Sequence, residues 1–559
     1  MFISDTFKIA GCFFKGEKRK YAFTFLAGVI AFELFYIYMM VTLNYWYNDF
    51  YNSIQELDNA GFYRQIKLFL LILIIVVFVF IAKLFLKLWL QLNWRIWMTD
   101  NYLTKWLDNN RFYLMKVTGY ETDNPDQRIS DDIGNFIDYF LTLTIGFFTE
   151  VVTLISFAGI LYTLSGITSF HVFGYEVRIY GYLFWIALLY AFCSTFIMHS
   201  IGHPLSKLFF TQEKVEADFR YGLIRLRENS EAIAFYDATA FEYNNFKQLF
   251  KNIVNNTKQI IRKNIELNTF LNFQVNIANI LPIIISTPRF FKNEIKFGGL
   301  VQIGSAFRQV HDSLSWVITA YTSISSLRAV VSRLKELKAA MEKMEQLKGS
   351  NYGLYHKKSL HQRVEITNLS IFLPNKQKLV DVKDTVFEEK KRYWLVGESG
   401  SGKTTLVRTL ANLWPFADGI VSVPYSTMFI SQKAYMPITS LARAISYPQD
   451  NDAYKGDISN ILKEFNLEHL IARLDEVDDW ARVLSGGEQQ RIALIRAILK
   501  QPSCLVLDEA MSAMDKENRL LSYWLLDKHL ANTTIILVSH NTDKEIQNYQ
   551  TIELKKISN

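Results

Sequence analysis

Cysteine is scarce in this 559-residue chain. Its three residues, Cys12, Cys193 and Cys504, lie far apart with no CxxC pair, which excludes a disulfide framework and a cysteine zinc site. Charge is sparse as well, at 21%, beside 50% hydrophobic and 15% aromatic residues, a balance too apolar for a wholly soluble or disordered chain. There is no internal repeat and no low-complexity tract. The net charge of +7 could suit nucleic acid, but lysines and arginines flanking apolar spans account for it through the positive-inside rule, so the expected partner is a lipid bilayer and not nucleic acid. The length exceeds one ordinary domain.

Six apolar stretches approach or exceed the ~20 residues that cross a bilayer as a helix, at about 21–44, 66–90, 139–164, 181–201, 267–288 and 300–324. The first is too long for a signal peptide and lacks its small-residue cleavage site, so it is expected to stay as an anchor. Lys8, Lys15, Lys18, Arg19 and Lys20 precede it, and the loop after it carries Asp49, Glu56 and Asp58 against Arg64, which puts the N-terminus in the cytoplasm. Arg289, Lys292 and Lys296 in a short outer loop run against that orientation. The connections 91–138 and 202–266 are then cytoplasmic, with membrane helices continuing below the bilayer. Glu33 and Glu150 lie within apolar spans, where a carboxylate is expensive and marks either a transport role or a quiet ion pair, for instance with Lys83. His311 and Asp312 in the sixth span are candidates to line a cavity.

A charged helical stretch over 331–347 and a glycine-containing linker lead to a different composition. From about residue 360, short apolar runs alternate with helical stretches, the pattern of an α/β domain with a mainly parallel sheet. The expected division is 1–335 membrane part, 336–360 linker and 361–559 nucleotide-binding domain. The run Tyr393–Val396 enters Gly397-Glu398-Ser399-Gly400-Ser401-Gly402-Lys403-Thr404-Thr405 ahead of a helix, the strand, glycine loop and helix order of a P-loop. Glycines let backbone N–H groups close on phosphates at a helix N-terminus, Lys403 reaches the β- and γ-phosphates, and the Thr404 hydroxyl suits Mg²⁺. The cofactors expected are therefore ATP and Mg²⁺. A second run, Cys504–Leu507, delivers Asp508 and Glu509 at the edge where open α/β sheets hold ligands; Asp508 suits Mg²⁺ and Glu509 suits the attacking water.

Leu484-Ser485-Gly486-Gly487-Glu488-Gln489-Gln490-Arg491, between these motifs, is similar to the signature of ATP-binding cassette (ABC) transporters. Gln432 in FISQKAY, Ser512-Ala513-Met514-Asp515 and His540 in LVSHN fall where that family has its Q-loop, D-loop and switch histidine. The resemblance implies an all-α, six-helix transmembrane domain of the type I exporter kind followed by an α/β P-loop cassette. It implies Glu509, His540 and Gln432 as catalytic groups, Thr404, Gln432 and Asp508 around Mg²⁺, and Ser485, Gly486, Gly487 and Asp515 at the nucleotide of a partner copy. The membrane half, through Asn124–Ile129, Val215–Tyr236 and Thr149-Glu150, resembles bacterial fused permease-ATPases related to SbmA/BacA peptide transporters, cobalamin importers and peroxisomal fatty-acyl transporters. With one P-loop, one signature and six spans, the chain resembles a half-transporter that pairs with a second copy of itself. Asp126–Asp132 and Glu231–Tyr236 match family positions expected to dock on the cassettes.

Three departures stand out. Leu373 falls where many cassettes stack a tyrosine on adenine, Met514 falls where the D-loop usually has leucine, and Asn412 falls where this subgroup often has glycine. The function expected is ATP-driven movement of a bulky solute, a peptide, corrinoid or lipid-like acid, across the bacterial inner membrane. The alternative is a membrane ATPase that gates a channel or partner complex.

Overall fold

The computed structural model describes residues 2–120, 124–172, 175–349, 353–359, 361–398, 400–449, 455–539 and 549–554. The chain forms two compact units, one of Met1–Thr104 with Asn124–Leu337, the other of Lys105–Asp123 with Lys338–Asn559.

The first unit is built from long helices. α1 (Phe2–Lys15), α2 (Arg19–Gln55) and α3 (Asn59–Leu107) are followed by α4 (Arg111–Thr118), which belongs to the other unit. α5 (Pro125–Gln127) runs through a π-helical turn at Arg128–Asp132 into α6 (Ile133–Ser165). A hairpin of β1 (Ile167–Val172) and β2 (Tyr175–Tyr180) precedes α7 (Tyr182–Glu228), the short α8 (Ser230–Phe235), α9 (Thr239–Phe291) and α10 (Phe297–Gly349). At a rise of ~1.5 Å per residue α3 is about 74 Å long, more than twice the ~30 Å hydrocarbon core, so helices of this kind continue well past a bilayer.

Arg19–Gln55, Asn59–Thr118, Pro125–Ser165, Tyr182–Glu228 and Thr239–Phe291 are long and apolar enough to cross a membrane. The sixth expected span, 300–324, is helical but falls outside that group, because Gln302, Arg308, Gln309, His311 and Asp312 interrupt it. The reason lies in its packing: Ile303, Ala306, Phe307 and Val310 are fully buried against residues of α6, α7 and α9, so this helix faces protein as much as lipid. Two of the three basic residues around the connection between α9 and α10 are paired. Arg289 donates to the carbonyls of Leu164 (2.9 Å) and Ser165 (2.7 Å) and pairs with Glu294 at 3.1 Å, and Lys296 pairs with Glu56.

The second unit holds two sheets. In chain order its elements are β3 (Leu354–Ser359), β4 (Val364–Phe372), β5 (Lys378–Val382), β6 (Thr385–Phe387), β7 (Arg392–Val396), α11 (Lys403–Leu410), β8 (Ala417–Pro424) and β9 (Thr427–Ile430). Then come β10 (Thr439–Ser440), α12 (Leu441–Ser446), α13 (Lys455–Glu464), β11 (Val477–Asp478), α14 (Trp480–Val483) and α15 (Gly486–Lys500). β12 (Cys504–Asp508), α16 (Lys516–His529), β13 (Thr534–Val538) and β14 (Gln550–Glu553) complete it. One sheet is parallel throughout, in the order β14-β7-β13-β12-β9; the other runs β3-β8-β4-β5 with β6 on β4.

The parallel strands are buried on both faces, as crossover helices require. Leu505, Leu507, Ile535 and Leu537 enter the core shared with α12 to α16, while the alternate residues Val506, Ile536, Tyr393 and Leu395 enter the core beneath the second sheet. The strand ends lie at a common edge: Asp508 is in register with Val538, which is in register with Leu395, one residue before the end of β7. The ligand-bearing loops therefore emerge side by side.

Candidate functional site

The glycine loop starts where β7 ends. A Cβ on Gly397 would lie 2.7 Å from the Leu554 carbonyl and 2.8 Å from Ser401 Oγ, so only glycine fits. Gly402 caps α11 at φ 92°, a left-handed conformation that favours glycine. Lys403 opens α11, is 5% exposed, and donates from Nζ to the carbonyls of Gly397 (2.6 Å) and Glu398 (2.9 Å). A buried ammonium held only by carbonyls gains by facing an anion. Ser401 Oγ is buried without a hydrogen-bond partner among the described residues, and a Cβ on Gly400 would meet nothing within 4 Å. An orphaned hydroxyl and open space beside a helix N-terminus fit a phosphate. Thr405 sits half-buried in the first helical turn, and Ser399 lies outside the described residues.

β12 brings Asp508 to the loop. Thr404 Oγ1 donates to Asp508 Oδ1 at 3.2 Å, a pair of hard oxygen donors of the kind Mg²⁺ takes. Burial holds the Asp508 carboxyl above the ordinary carboxylate range, the Thr404 bond lowers it, and neighbouring Glu509 raises it again. A group whose charge is opposed this way is ready to take a cation. Glu509 adopts φ 52°, costly for a residue other than glycine, and such strain concentrates at functional sites. Its Oε2 accepts from Gln432 Nε2 at 3.0 Å. His540 lies outside the described residues.

The signature begins α15. Ser485 is its N-cap in a reciprocal capping box: Glu488 N–H donates to Ser485 Oγ at 3.4 Å and Ser485 N–H donates to Glu488 Oε2 at 2.8 Å. Gly486 and Gly487 pack on the loop after β12, where their added Cβ atoms would lie 3.4 Å from Ala513 Cβ and 3.2 Å from its carbonyl. Ser485 and Gly486 are exposed, and the hydrogen bonds of Ser485 go to Glu488. Asp515 caps α16 by accepting from Asn518 N–H at 2.8 Å, which keeps its carboxyl below the usual range.

Two residues that sequence reasoning passed over tie these loops together. Gln490 is 4% exposed; its Nε2 donates to the Gln432 carbonyl at 2.9 Å and its Oε1 accepts from Ala513 N–H at 2.9 Å. One side chain thus spans the Q-loop, the signature helix and the D-loop. Arg496, one and a half turns on, donates to the carbonyls of Ala444 and Tyr435 (2.9 and 2.8 Å) and fixes the chain just after the Q-loop against α12, with burial lowering its guanidinium to about 10. Their spacing on α15 was the only available signal.

The departures have structural reasons. Asn412 takes φ 58°, the left-handed conformation that makes glycine common there. Met514 is 6% exposed within the core and accepts from Ser522 Oγ through its sulfur at 3.5 Å, so it fills a leucine's place. Leu373 opens the tight turn between β4 and β5, its N–H bonded to the Gln377 carbonyl at 2.8 Å, and both it and Phe372 pack partly against the core.

Within the segment expected to dock on the cassettes, Asp126–Asp132, buried Asp132 takes a bidentate pair from Arg333 (2.7 and 2.6 Å) and Arg128 donates to the Arg333 carbonyl at 2.8 Å, so this segment also braces α10. The preceding stretch Lys105–Asp123 groups with Lys338–Asn559. There Val117 of α4 packs on the core beneath the β4 sheet, Arg111 pairs with Glu345 at 3.4 Å, and Lys343 sits 3.4 Å above the Tyr120 ring. In α8 no residue is buried, and Phe235 and Tyr236 are each 82% exposed. Among the membrane carboxylates, Glu33 pairs with Lys83 at 3.1 Å. His311 is buried, with Nε2 2.7 Å from Gln274 Nε2 and Nδ1 3.1 Å from Asp312 Oδ1.

Long apolar helices joined to a P-loop domain with Asp508 and Glu509 at its sheet edge define an ATP-hydrolysing membrane transporter. The comparisons agree: residues 9–291 match the family model for ABC transporter transmembrane region 2, and residues 381–512 match that for ABC transporters. The chain belongs to the ABC transporter family, as a membrane region fused to its own ATPase domain. It is 30% identical to the inner membrane ABC transporter ATP-binding protein YddA of Escherichia coli, over 92% of this chain and 90% of that one. It is 30% identical to ABC transporter D family member 2, chloroplastic, of Arabidopsis thaliana, over 96% and 83%, and 26% identical to the human lysosomal cobalamin transporter ABCD4, over 77% and 74%. Its fold matches a bacterial Atm1-family ABC exporter solved with ATP bound, at a TM-score of 0.71 and 16% identity over 95% of this chain and 94% of the other.

Proposed function

We propose that two copies of this chain form a homodimer in the bacterial inner membrane and use ATP to move a bulky solute, with a corrinoid or peptide favoured over a lipid-like acid. The observation that carries this reading is the split of the nucleotide machinery. Lys403 holds the glycine loop, Thr404 bonds Asp508 and Gln432 bonds the adjacent Glu509, while the signature residues Ser485 and Gly486 stay exposed, with the Ser485 side chain bonded to its own Glu488. A signature so presented is free to face the phosphates bound by a second copy.

In this scheme the backbone of 397–402 and Lys403 bind the β- and γ-phosphates, and Thr404, Asp508 and Gln432 hold Mg²⁺, which neutralises phosphate charge when bound. Glu509, held by Gln432, orients the attacking water, and His540 contacts the γ-phosphate. Ser485, Gly486 and Gly487 close on the partner's nucleotide, with Asp515 at the same junction. The working division remains 1–335, 336–360 and 361–559, with α4 on the cassette of its own chain and the exposed Phe235 and Tyr236 turned to the partner's. The cobalamin transporter among the relatives supports a corrinoid as the solute.

The test is uptake by cells or proteoliposomes of a corrinoid and of a proline-rich peptide. Uptake against a gradient that Glu509→Gln abolishes supports the proposal. Uptake that persists in Glu509→Gln but collapses when the proton gradient is dissipated would overturn it.

A further inference from the structure

The membrane unit carries an open cavity of about 350 Å³ walled by α1, α2 and α6. α1 contributes Phe7, Ala10, Gly11 and Phe14, an i, i+3, i+4, i+7 stripe, so one face of this short helix is turned into it. Phe23, Leu26 and Ile30 come from α2, and Ile145 and Phe148 from α6. Thr144 is the one polar side chain in the lining, and its hydroxyl is spent on the Phe140 carbonyl at 2.6 Å. Nothing in this wall would hold a hydrophilic ligand.

The rim is different. Phe14 and Phe23 bracket the turn between α1 and α2, where Lys15, Lys18, Arg19 and Lys20 are exposed against a single acid, Glu17. Tyr21 and Trp89 meet beside this turn, with Trp89 Nε1 donating to the Tyr21 hydroxyl at 2.5 Å, and Trp97 lies against Gly16. Tyrosine and tryptophan gather at headgroup depth, as do lysine and arginine on the cytoplasmic side. A hydrocarbon slot that opens next to four cations at that depth is complementary to a molecule with an apolar chain and a negative head.

We propose that this cavity binds one acyl chain of an anionic glycerophospholipid whose phosphate is held by Lys15, Lys18, Arg19 and Lys20. The bound chain fills the gap between α1 and the two spanning helices, so the lipid fixes α1 in place. This separates it from the outward apolar face of α3, where Leu71, Ile74 and Phe78 are exposed and any lipid tail can pass.

Gly11 gives a direct handle. A Cβ there would meet nothing within 4 Å, so a larger side chain grows into the cavity without disturbing the helix. The purified full-length protein is titrated by native mass spectrometry with phosphatidylglycerol and phosphatidylcholine of identical chains. Wild type should retain phosphatidylglycerol in preference, and each lysine or arginine of the turn changed to glutamine should weaken it about five-fold. Gly11→Phe should weaken it about ten-fold or more with every cation in place, since the displaced methylenes lose their burial. Equal retention of both lipids by wild type, or phosphatidylglycerol binding by Gly11→Phe equal to wild type, overturns the proposal. An independent measurement uses unaltered protein and phosphatidylglycerol carrying a photoreactive acyl terminus. Label on α1, α2 and α6 supports the site, whereas label confined to α3 refutes it.

Discussion

Gln490→Leu is the substitution that best probes how the cassette is held together. Leucine preserves most of the buried volume and removes the two short hydrogen bonds, the one to the Gln432 carbonyl and the one from Ala513 N–H, each 2.9 Å, together with the longer one to Ser512 Oγ at 3.4 Å. Neutral hydrogen bonds of this kind contribute about 1 kcal/mol each, and orphaning a buried partner costs about 1–3 kcal/mol. The Q-loop carbonyl belongs to the same residue whose amide holds Glu509 at 3.0 Å, so its release loosens the group proposed to orient water. Were the ~2 kcal/mol of lost bonding expressed wholly in the barrier, kcat would fall about 30-fold. The glycine loop and Lys403 are untouched, so KM for ATP should stay near wild type. Gln490→Glu, which keeps the acceptor for Ala513 N–H, should fall between the two. The assay is steady-state ATPase activity of the full-length protein in lipid, with thermal unfolding to show that the variant is folded. A folded Gln490→Leu protein with wild-type kcat, or one whose loss lies wholly in KM, would refute the positioning role.

Other outcomes follow from the same geometry. Lys403→Ala should weaken nucleotide binding itself, measured by equilibrium titration, because the buried ammonium facing the loop is gone. Native protein should hydrolyse GTP at a rate comparable to ATP, since Leu373 offers no aromatic face; Leu373→Tyr should tighten ATP binding by about 1 kcal/mol, and strong native preference for ATP would show that another residue stacks on the base. His356 is partly buried with Nε2 2.9 Å from the Leu410 carbonyl, and burial lowers its pKa below 6.5. The charged form is thus disfavoured in the folded state: stability is complete above pH 6.5 and declines as pH falls below it toward the lowered value. Melting temperatures across that window should show the decline in wild type and a shallower one in His356→Gln; identical slopes would exclude His356 as its source.

The chemistry of the cassette was readable in sequence because phosphate binding dictates backbone conformation. Gly397 admits no Cβ and Gly402 requires a left-handed φ, so the residue types themselves record the loop. The parallel strands were equally plain, since burial on both faces writes continuous apolar runs such as Cys504–Leu507. Gln490 left no such record: a neutral amide inside a helix looks the same whether it faces solvent or bridges two loops. A pair of Glu33 with Lys83 could be named from the sequence only as one alternative, and α2 packed on α3 brings the two to 3.1 Å. The bracing role of Asp132 was hidden for a similar reason, because its partner Arg333 lies about 200 residues later. The weak apolarity of α10 likewise reflects neighbours, not local sequence.

In the proposed homodimer each nucleotide is enclosed by the P-loop of one copy and the signature of the other. The decisive experiment places Lys403→Ala and Ser485→Arg in two arrangements of a tagged, purified mixed dimer. With the lesions on separate chains, both fall in one composite pocket and the other pocket is whole; with both on one chain opposite a wild-type copy, each pocket carries one lesion. The account predicts that the separate-chain dimer retains ATPase activity and the same-chain dimer has none. Activity in the same-chain dimer and its absence from the separate-chain dimer would contradict it, because that ordering requires a P-loop and signature of one chain to serve the same nucleotide.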